Sequence, residues 1–280
     1  MQHLCKVIAI ANQKGGVGKT TTTAALGAGL AREGYNTLLI DLDAQANLTM
    51  SLGWHSPDDI SVTIASLMGM VINDEPLEPD RCILTHDSGV KLIPSNIQLS
   101  ALDATLVNTM SRESVLRSCI HELRPLYDYI LIDCTPSLGM LTINALAAAD
   151  SVLIPVQAHF LSAKGIELLL STINKVRRQI NPSLKVEGIL LTMLDNRSSF
   201  TRDMVNAMRT SYVGSVSCFR AMIPSTVRTV EASAQGVTIF DHDPGNKAAQ
   251  AYQALTEEVL ANHGKQTRKN RHKQADQAAR

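Results

Sequence analysis

Ala11-Asn12-Gln13-Lys14-Gly15-Gly16-Val17-Gly18-Lys19-Thr20-Thr21 lies between a short apolar run, Val7–Ala11, and a segment, Thr20–Glu33, in which small and apolar residues recur at helical spacing. Strand, glycine-rich loop and helix in that order are the setting a phosphate-binding loop requires. Gly15, Gly16 and Gly18, with Val17 between them, let backbone N–H groups turn toward phosphate oxygens, and the helix beginning near Lys19 points its positive end at the same place. Lys19 is placed to reach the terminal phosphates, and the Thr20 hydroxyl, followed by Thr21, is placed to ligate Mg²⁺. The usual spacing puts a glycine at position 13; this chain has Gln13, and a second lysine, Lys14, directly before the glycines.

Two apolar strands downstream end in acids. Thr37-Leu-Leu-Ile-Asp41 leads into Asp41-Leu-Asp43-Ala-Gln45-Ala-Asn47, at the carboxyl end of a strand, where open parallel sheets bind ligands. Asp41 there suits the Mg²⁺ shell and Asp43 an attacking water; acids in an ordinary turn have the same appearance. Tyr129-Ile-Leu-Ile-Asp133 ends in the acid expected to hold Mg²⁺ through water, followed by Thr135-Pro136-Ser137. Further apolar strands, Val90–Pro94, Ser151–Val156 and Val186–Met193, alternate with helical patterns at 97–107, 112–123, 138–146 and 161–179. The expectation is an α/β fold, a mainly parallel twisted sheet flanked by helices on both faces. Residues 54–87, broken by Pro57, Pro76 and Pro79 around a short helix near 60–70, read as a surface excursion.

With 280 residues, 45% hydrophobic, the chain can bury one large core. The expected division is one nucleotide-binding domain, 1–263, and a tail, 264–280, without fixed structure. Net charge is zero, yet the tail holds six Lys/Arg against Asp276 alone, which leaves the body with 20 basic and 25 acidic residues. Such a tail suits polyanions and serves equally as a solubilising end. The five cysteines are dispersed, without a Cys-x-x-Cys pair, and read as buried thiols of a cytoplasmic protein, neither a disulfide framework nor a zinc site. The eight histidines show no ligand spacing. The glycine loop interrupts the first apolar run too early for a signal peptide, and no run approaches membrane-span length.

Lys14-Gly-Gly-Val-Gly-Lys-Thr20 resembles the deviant Walker A loop of the ParA/MinD class of P-loop ATPases. Asp41–Asn47 is similar to the Asp-x-Asp-Pro-Gln-Gly-Asn segment of the ParA/Soj-like partition ATPases, with Ala44 and Ala46 in place of Pro and Gly. Ile223-Pro-Ser-Thr-Val-Arg228-Thr-Val-Glu231 resembles their Ile-Pro-Arg-Asn-Val-Arg-Leu-x-Glu, with Ser225 and Thr226 replacing Arg and Asn, and Ser233 standing further on where the family has Pro. The resemblance runs from about 6 to 260.

It implies a slow ATPase that forms a homodimer on Mg²⁺-ATP, with Lys14 reaching the partner's phosphates, Lys19 and Asp43 serving hydrolysis, and an adenine contact near Pro224. It implies binding of nonspecific double-stranded DNA through Arg197 and Arg228, either of which also reads as an ordinary salt-bridged arginine, on a nucleoid-associated protein. Stimulation by a ParB-like centromere-binding protein is expected.

Three rivals share parts of this pattern. A MinD-like membrane-surface ATPase calls for a C-terminal amphipathic helix with bulky apolar residues, where Lys265–Arg280 offers only alanines, so no membrane partner is expected. A metallocluster carrier calls for paired cysteines, and Cys134 has no partner at ligand spacing. A nucleotide-liganded DNA-binding regulator calls for a helix-turn-helix ahead of the first strand, for which the residues before Lys6 leave no room.

Overall fold

Apolar strands with no polar alternation must be covered on both sides, and the chain meets that demand with one eight-stranded sheet. The computed structural model describes residues 5–157, 162–195 and 216–278, with side chains left aside at 162–164 and 265–278. The strands are β1 (Lys6–Ile10), β2 (Thr37–Leu42), β3 (Leu84–Thr85), β4 (Lys91–Ile93), β5 (Tyr129–Cys134), β6 (Ser151–Gln157), β7 (Lys185–Leu194) and β8 (Cys218–Pro224). Their order is β3-β4-β2-β5-β1-β6-β7-β8, parallel throughout except at β3.

Alternate residues of each central strand enter different cores. Val7, Ala9, Leu38, Ile40, Ile130 and Ile132 face one cluster, covered by α3 (Ile64–Ile72), α5 (Val115–Leu123), α6 (Met140–Ala148) and α7 (Ser162–Gln179). Ile8, Ile10, Leu39, Tyr129 and Leu131 face the other, covered by α1 (Lys19–Arg32), α2 (Asn47–Ser51), α8 (Val227–Gln235), α9 (Ile239–His242) and α10 (Lys247–Ala278). After β4, α4 (Gln98–Leu106) adds Leu99 and Leu106 to the first cluster.

The expected α/β architecture is thus present, and three parts depart from the sequence reading. Residues 54–87, expected as a surface excursion, send α3 into the core, with Ile64, Leu67 and Met68 buried, and add β3 to the sheet edge. Strand β8 was legible only as a motif: its burial alternates, with Phe219, Ala221 and Ile223 inside and Arg220 and Met222 outside, because it is an edge strand. Its outer edge is covered by α10, whose Glu258 carboxylate accepts the backbone N–H groups of Arg220 (2.9 Å) and Ala221 (2.6 Å). Helical backbone of α10 continues to Ala278, through most of the basic segment expected to lack fixed structure. Residues 200–212, which follow the strand Val186–Met193 and also read as a helix in the sequence, lie outside the described residues.

α10 also packs on α1. Gly29 of α1 approaches Thr256 so closely that a Cβ there would lie within about 2.2 Å of the Thr256 hydroxyl. The helix that follows the phosphate loop is thereby clamped between the sheet and α10.

Candidate functional site

The loop 11–18 leaves β1 at the carboxyl edge of the sheet, between the ends of β5 and β6. Gly16 and Gly18 take φ of +69° and +84°, a turn that side-chain-bearing residues adopt only with strain, and α1 starts immediately after. Neighbouring strand ends hold the loop: Asn12 Nδ2 donates to the Pro155 carbonyl (2.7 Å), Gln157 Nε2 to the Gly16 carbonyl (3.3 Å) and Thr192 Oγ1 to the Val17 carbonyl (2.8 Å).

Thr20 Oγ1 donates to Asp133 Oδ2 at 2.7 Å, so the α1 hydroxyl and the β5 carboxylate meet as the two motifs imply. Thr23 Oγ1 donates to the Lys19 carbonyl at 3.0 Å and lies 3.5 Å from Asp133 Oδ1. Lys19, buried, donates from Nζ to the Lys14 carbonyl at 3.2 Å. Burial lowers the Lys19 pKa, against the pull of the nearby Asp133 charge. Asp133 is raised to about 8 by burial first and by the charge of Asp41 second, while the Thr20 hydrogen bond and Lys19 oppose the rise.

Asp41 faces Asp133 across adjacent strands in register. Its oxygens serve the backbone: Oδ2 accepts from Thr49 N (2.9 Å) and Thr49 Oγ1 (2.8 Å), and Oδ1 from Asp43 N (3.2 Å). Burial pushes its pKa up to about 6, and these hydrogen bonds hold it down. Asp41 therefore sets the Asp43 turn and anchors α2 beside the site. Asp43, half-buried, accepts from Gln45 N at 3.1 Å.

Ala46 closes the same turn at φ +53°, where the resembling segment has glycine. A Cβ in that region costs about 1–2 kcal/mol, local strain beside the site.

Oxygen donors suit Mg²⁺, which commonly combines one or two protein oxygens with waters and substrate phosphates. Thr20 Oγ1 and Asp133 match that chemistry. Among the described residues no three His, Cys, Asp or Glu side chains gather to hold a metal.

Lys14 sits on the outer side of the loop, exposed, with its N–H on Asn12 Oδ1 (3.0 Å) and its ammonium 3.5 Å from Gln157 Oε1. A cavity of about 890 Å³ opens on that side, between Gln13 and Lys14, Pro136–Leu138 after β5, and Glu167 and Leu168 of α7. Thr21 is half-buried one residue further into α1. Half-buried Pro224 ends β8 in register with Leu194 of β7. The preceding residue, Met193, lies over Gly18, its Cε about 3.9 Å from where a glycine Cβ would project.

Arg197 lies outside the described residues. Arg228, in the first turn of α8, pairs with Glu231 (2.8 Å) and Asp243 (3.7 Å) and keeps its side chain 55% exposed. Sequence reasoning missed Gln157 of β6 and Thr192 of β7, which hold the loop, Asn12, which ties the loop to Pro155 of β6, and Thr49 of α2, which holds Asp41; only the topology brings these pairs together.

Sheet order, loop and the Thr20–Asp133 contact define a P-loop nucleotide-binding protein. The family model described as an AAA domain matches residues 5–186. The chain is 41% identical to the sporulation initiation inhibitor protein Soj of Bacillus subtilis over 257 residues, 92% of this chain and 99% of that protein. It is also 41% identical to the chromosome partitioning protein ParA of Myxococcus xanthus over 258 residues, 91% and 88% of the two chains. Among solved structures it resembles cobyrinic acid a,c-diamide synthase from Mycobacterium smegmatis with bound ADP and magnesium (TM-score 0.79, 36% identity, 92% and 94% covered). McdA from Cyanothece in complex with ATP is also similar (TM-score 0.77, 25% identity, 93% and 98% covered). The chain belongs to the ParA/Soj-like family of the ParA/MinD deviant Walker A superfamily.

Proposed function

We propose that the chain is a DNA-partition ATPase that binds ATP with Mg²⁺, pairs with a second copy, holds nonspecific double-stranded DNA while paired, and is reset by hydrolysis. The observation that carries this reading is the Thr20–Asp133 contact at 2.7 Å beside two lysines of one loop. The partition proteins to which the chain is similar, and the neighbours crystallised with ADP and magnesium or with ATP, support it.

In this reading the backbone of Gly15–Gly18 and the α1 N-terminus bind phosphate, with Thr20 and Thr21 at the helix entrance and Pro224 toward the base. Lys19 exchanges the Lys14 carbonyl for a phosphate oxygen. Thr20 Oγ1 and Asp133 would hold Mg²⁺, with Asp41 setting the turn behind them, and the metal would supply positive charge to the phosphate oxygens. Asp43 orients the attacking water. Lys14 crosses to the partner's phosphates and balances charge there.

Turnover is slow until a ParB-like centromere-binding protein accelerates it, so the nucleotide acts as a timer. Arg197 and Arg228 contact DNA phosphates, for which Arg228 must loosen its exposed pairs with Glu231 and Asp243, an inexpensive step. The protein would then sit on the nucleoid in the cytoplasm. Among the described residues no helix is long and apolar enough to cross a membrane.

Retention on nonspecific duplex DNA, with ATP against ADP over a salt series, tests this for the full chain and for one truncated before Gly264. ATP-dependent, salt-sensitive retention that survives truncation is expected. Retention indifferent to nucleotide and lost with the tail would refute it.

A further inference from the structure

The parallel pairing of β1 with β6 matches Ile8 with Ser151 and Ile10 with Leu153, an offset of 143 residues. The first half of the phosphate loop continues that register beyond the strand. Asn12 meets Pro155 and Lys14 meets Gln157, each pair again 143 apart. The Lys14 backbone is pinned, its N–H on Asn12 Oδ1, while its ammonium lies 3.5 Å from Gln157 Oε1 of the same chain. The other end of the Gln157 carboxamide donates to the Gly16 carbonyl at 3.3 Å and lies 2.8 Å from Met193 Sδ.

Lysine is a compact charge on a flexible four-carbon stem, so Lys14 can change partner by rotating its side chain while its pinned backbone stays in place. A neutral carboxamide orients the ammonium without the hold of a carboxylate.

We propose that Gln157 is a positioning residue for Lys14: it draws the ammonium to its own chain's β6 end, in competition with the partner's phosphates, and so sets how much ATP is needed for two copies to pair. This rests on the reading that Lys14 acts across the dimer. The carboxamide is a weak competitor. A carboxylate at 157 would be a stronger one, screened by salt, and an apolar side chain of the same length would not compete.

The test compares wild type, Gln157→Glu, Gln157→Met and Lys14→Ala by light scattering for ATP-dependent dimerisation and by a fluorescent ATP analogue for nucleotide affinity. At low salt, Gln157→Glu is expected to raise the ATP concentration for half-maximal dimerisation about fivefold, on the order of 1 kcal/mol, and Gln157→Met to lower it about twofold. Both variants lose the hydrogen bond to the Gly16 carbonyl, so these shifts are read relative to any change in analogue affinity that the two share, and the Gln157→Glu ratio should fall toward one at high salt.

Dimerisation and analogue affinity lost in equal proportion would assign Gln157 to loop shape through Gly16 and overturn the proposal. A Gln157→Glu shift insensitive to salt would also overturn it. Unshifted Gln157 variants alongside a Lys14→Ala chain that cannot dimerise would overturn this inference alone. Normal ATP-dependent dimerisation by Lys14→Ala would overturn the trans-lysine reading and this inference together.

Discussion

Replacing Gly236 by alanine separates two costs that glycine conceals. Gly236 caps the C-terminus of α8 at φ +68°, and a Cβ there would fall 2.4 Å from Gly53 Cα and 2.8 Å from Gly53 N. Gly53 follows α2, so the helix carrying Arg228 and the helix anchored by Asp41 end backbone against backbone. His86 locks the junction. Its Nδ1 accepts from Ser88 N (3.1 Å), which assigns the ring proton to Nε2, and Nε2 donates to the Gly236 carbonyl at 3.0 Å.

The left-handed conformation alone costs an alanine about 1–2 kcal/mol. Forcing two backbones apart adds about 1–3 kcal/mol as overpacking, and weakening the His86 bond about 1 kcal/mol. Gly236→Ala should therefore lose about 3–6 kcal/mol. Gly34→Ala is the control: φ is +87°, but nothing lies within 4 Å of the added Cβ. Only the conformational cost of about 1–2 kcal/mol applies there. Urea unfolding of both variants at unchanged m-value measures the difference. Equal destabilisation within about 0.5 kcal/mol would refute the claim that the α2–α8 junction depends on this close approach.

Three further outcomes follow from the same structure. Asp133 has a folded pKa raised to about 8, so between its ordinary value and pH 8 the folded chain binds more protons at this group than the unfolded chain, and the group's contribution to stability falls as pH rises. Asp133→Asn should gain stability over wild type as pH goes from 4 to 8, on the order of 5 kcal/mol at the top, in urea titrations without nucleotide; a pH-independent difference would contradict this. Glu258→Ala should cost about 1–2 kcal/mol and increase self-association, because it uncovers two N–H groups of the edge strand β8; thermal melts and sedimentation would show neither if solvent replaced the carboxylate without loss. Thr49→Val should loosen the Asp43 turn by removing the hydroxyl shared between Asp41 and Ser95 N, costing about 1–3 kcal/mol in urea unfolding; a change below about 0.5 kcal/mol would show that α2 does not depend on it.

Residues whose roles depend on near neighbours are legible in the sequence, and those whose roles depend on distant elements are not. Gly16, Gly18, Lys19 and Thr20 were legible because their roles depend on the few residues around them, a turn feeding a helix. Asp41 and Asp133 were legible as acids ending apolar strands, but their roles divided only in the fold. Thr20 approaches Asp133, whereas the Asp41 oxygens are taken by Thr49 and Asp43. Ser225 and Thr226 replace family residues, and beyond the strand–helix junction at Pro224–Val227 nothing in the structure explains the exchange.

By itself, then, the sequence determined the phosphate loop, the alternation of apolar strands and helices, and the family, because glycine conformations and hydrophobic periodicity are properties of short stretches. Tertiary structure alone decided which strand ends surround the loop. Gln157 and Thr192 lie 141 and 175 residues from the carbonyls they hold, and only the order β1-β6-β7 brings them there. It also decided that Arg228, beside Glu231 one helical turn on, meets Asp243, and that the β8 edge is closed by a carboxylate from α10. Parallel pairing imposes the meetings around the loop, because its register propagates along neighbouring strands whatever the separation in sequence, and helix packing on the sheet imposes the others; no local pattern encodes either.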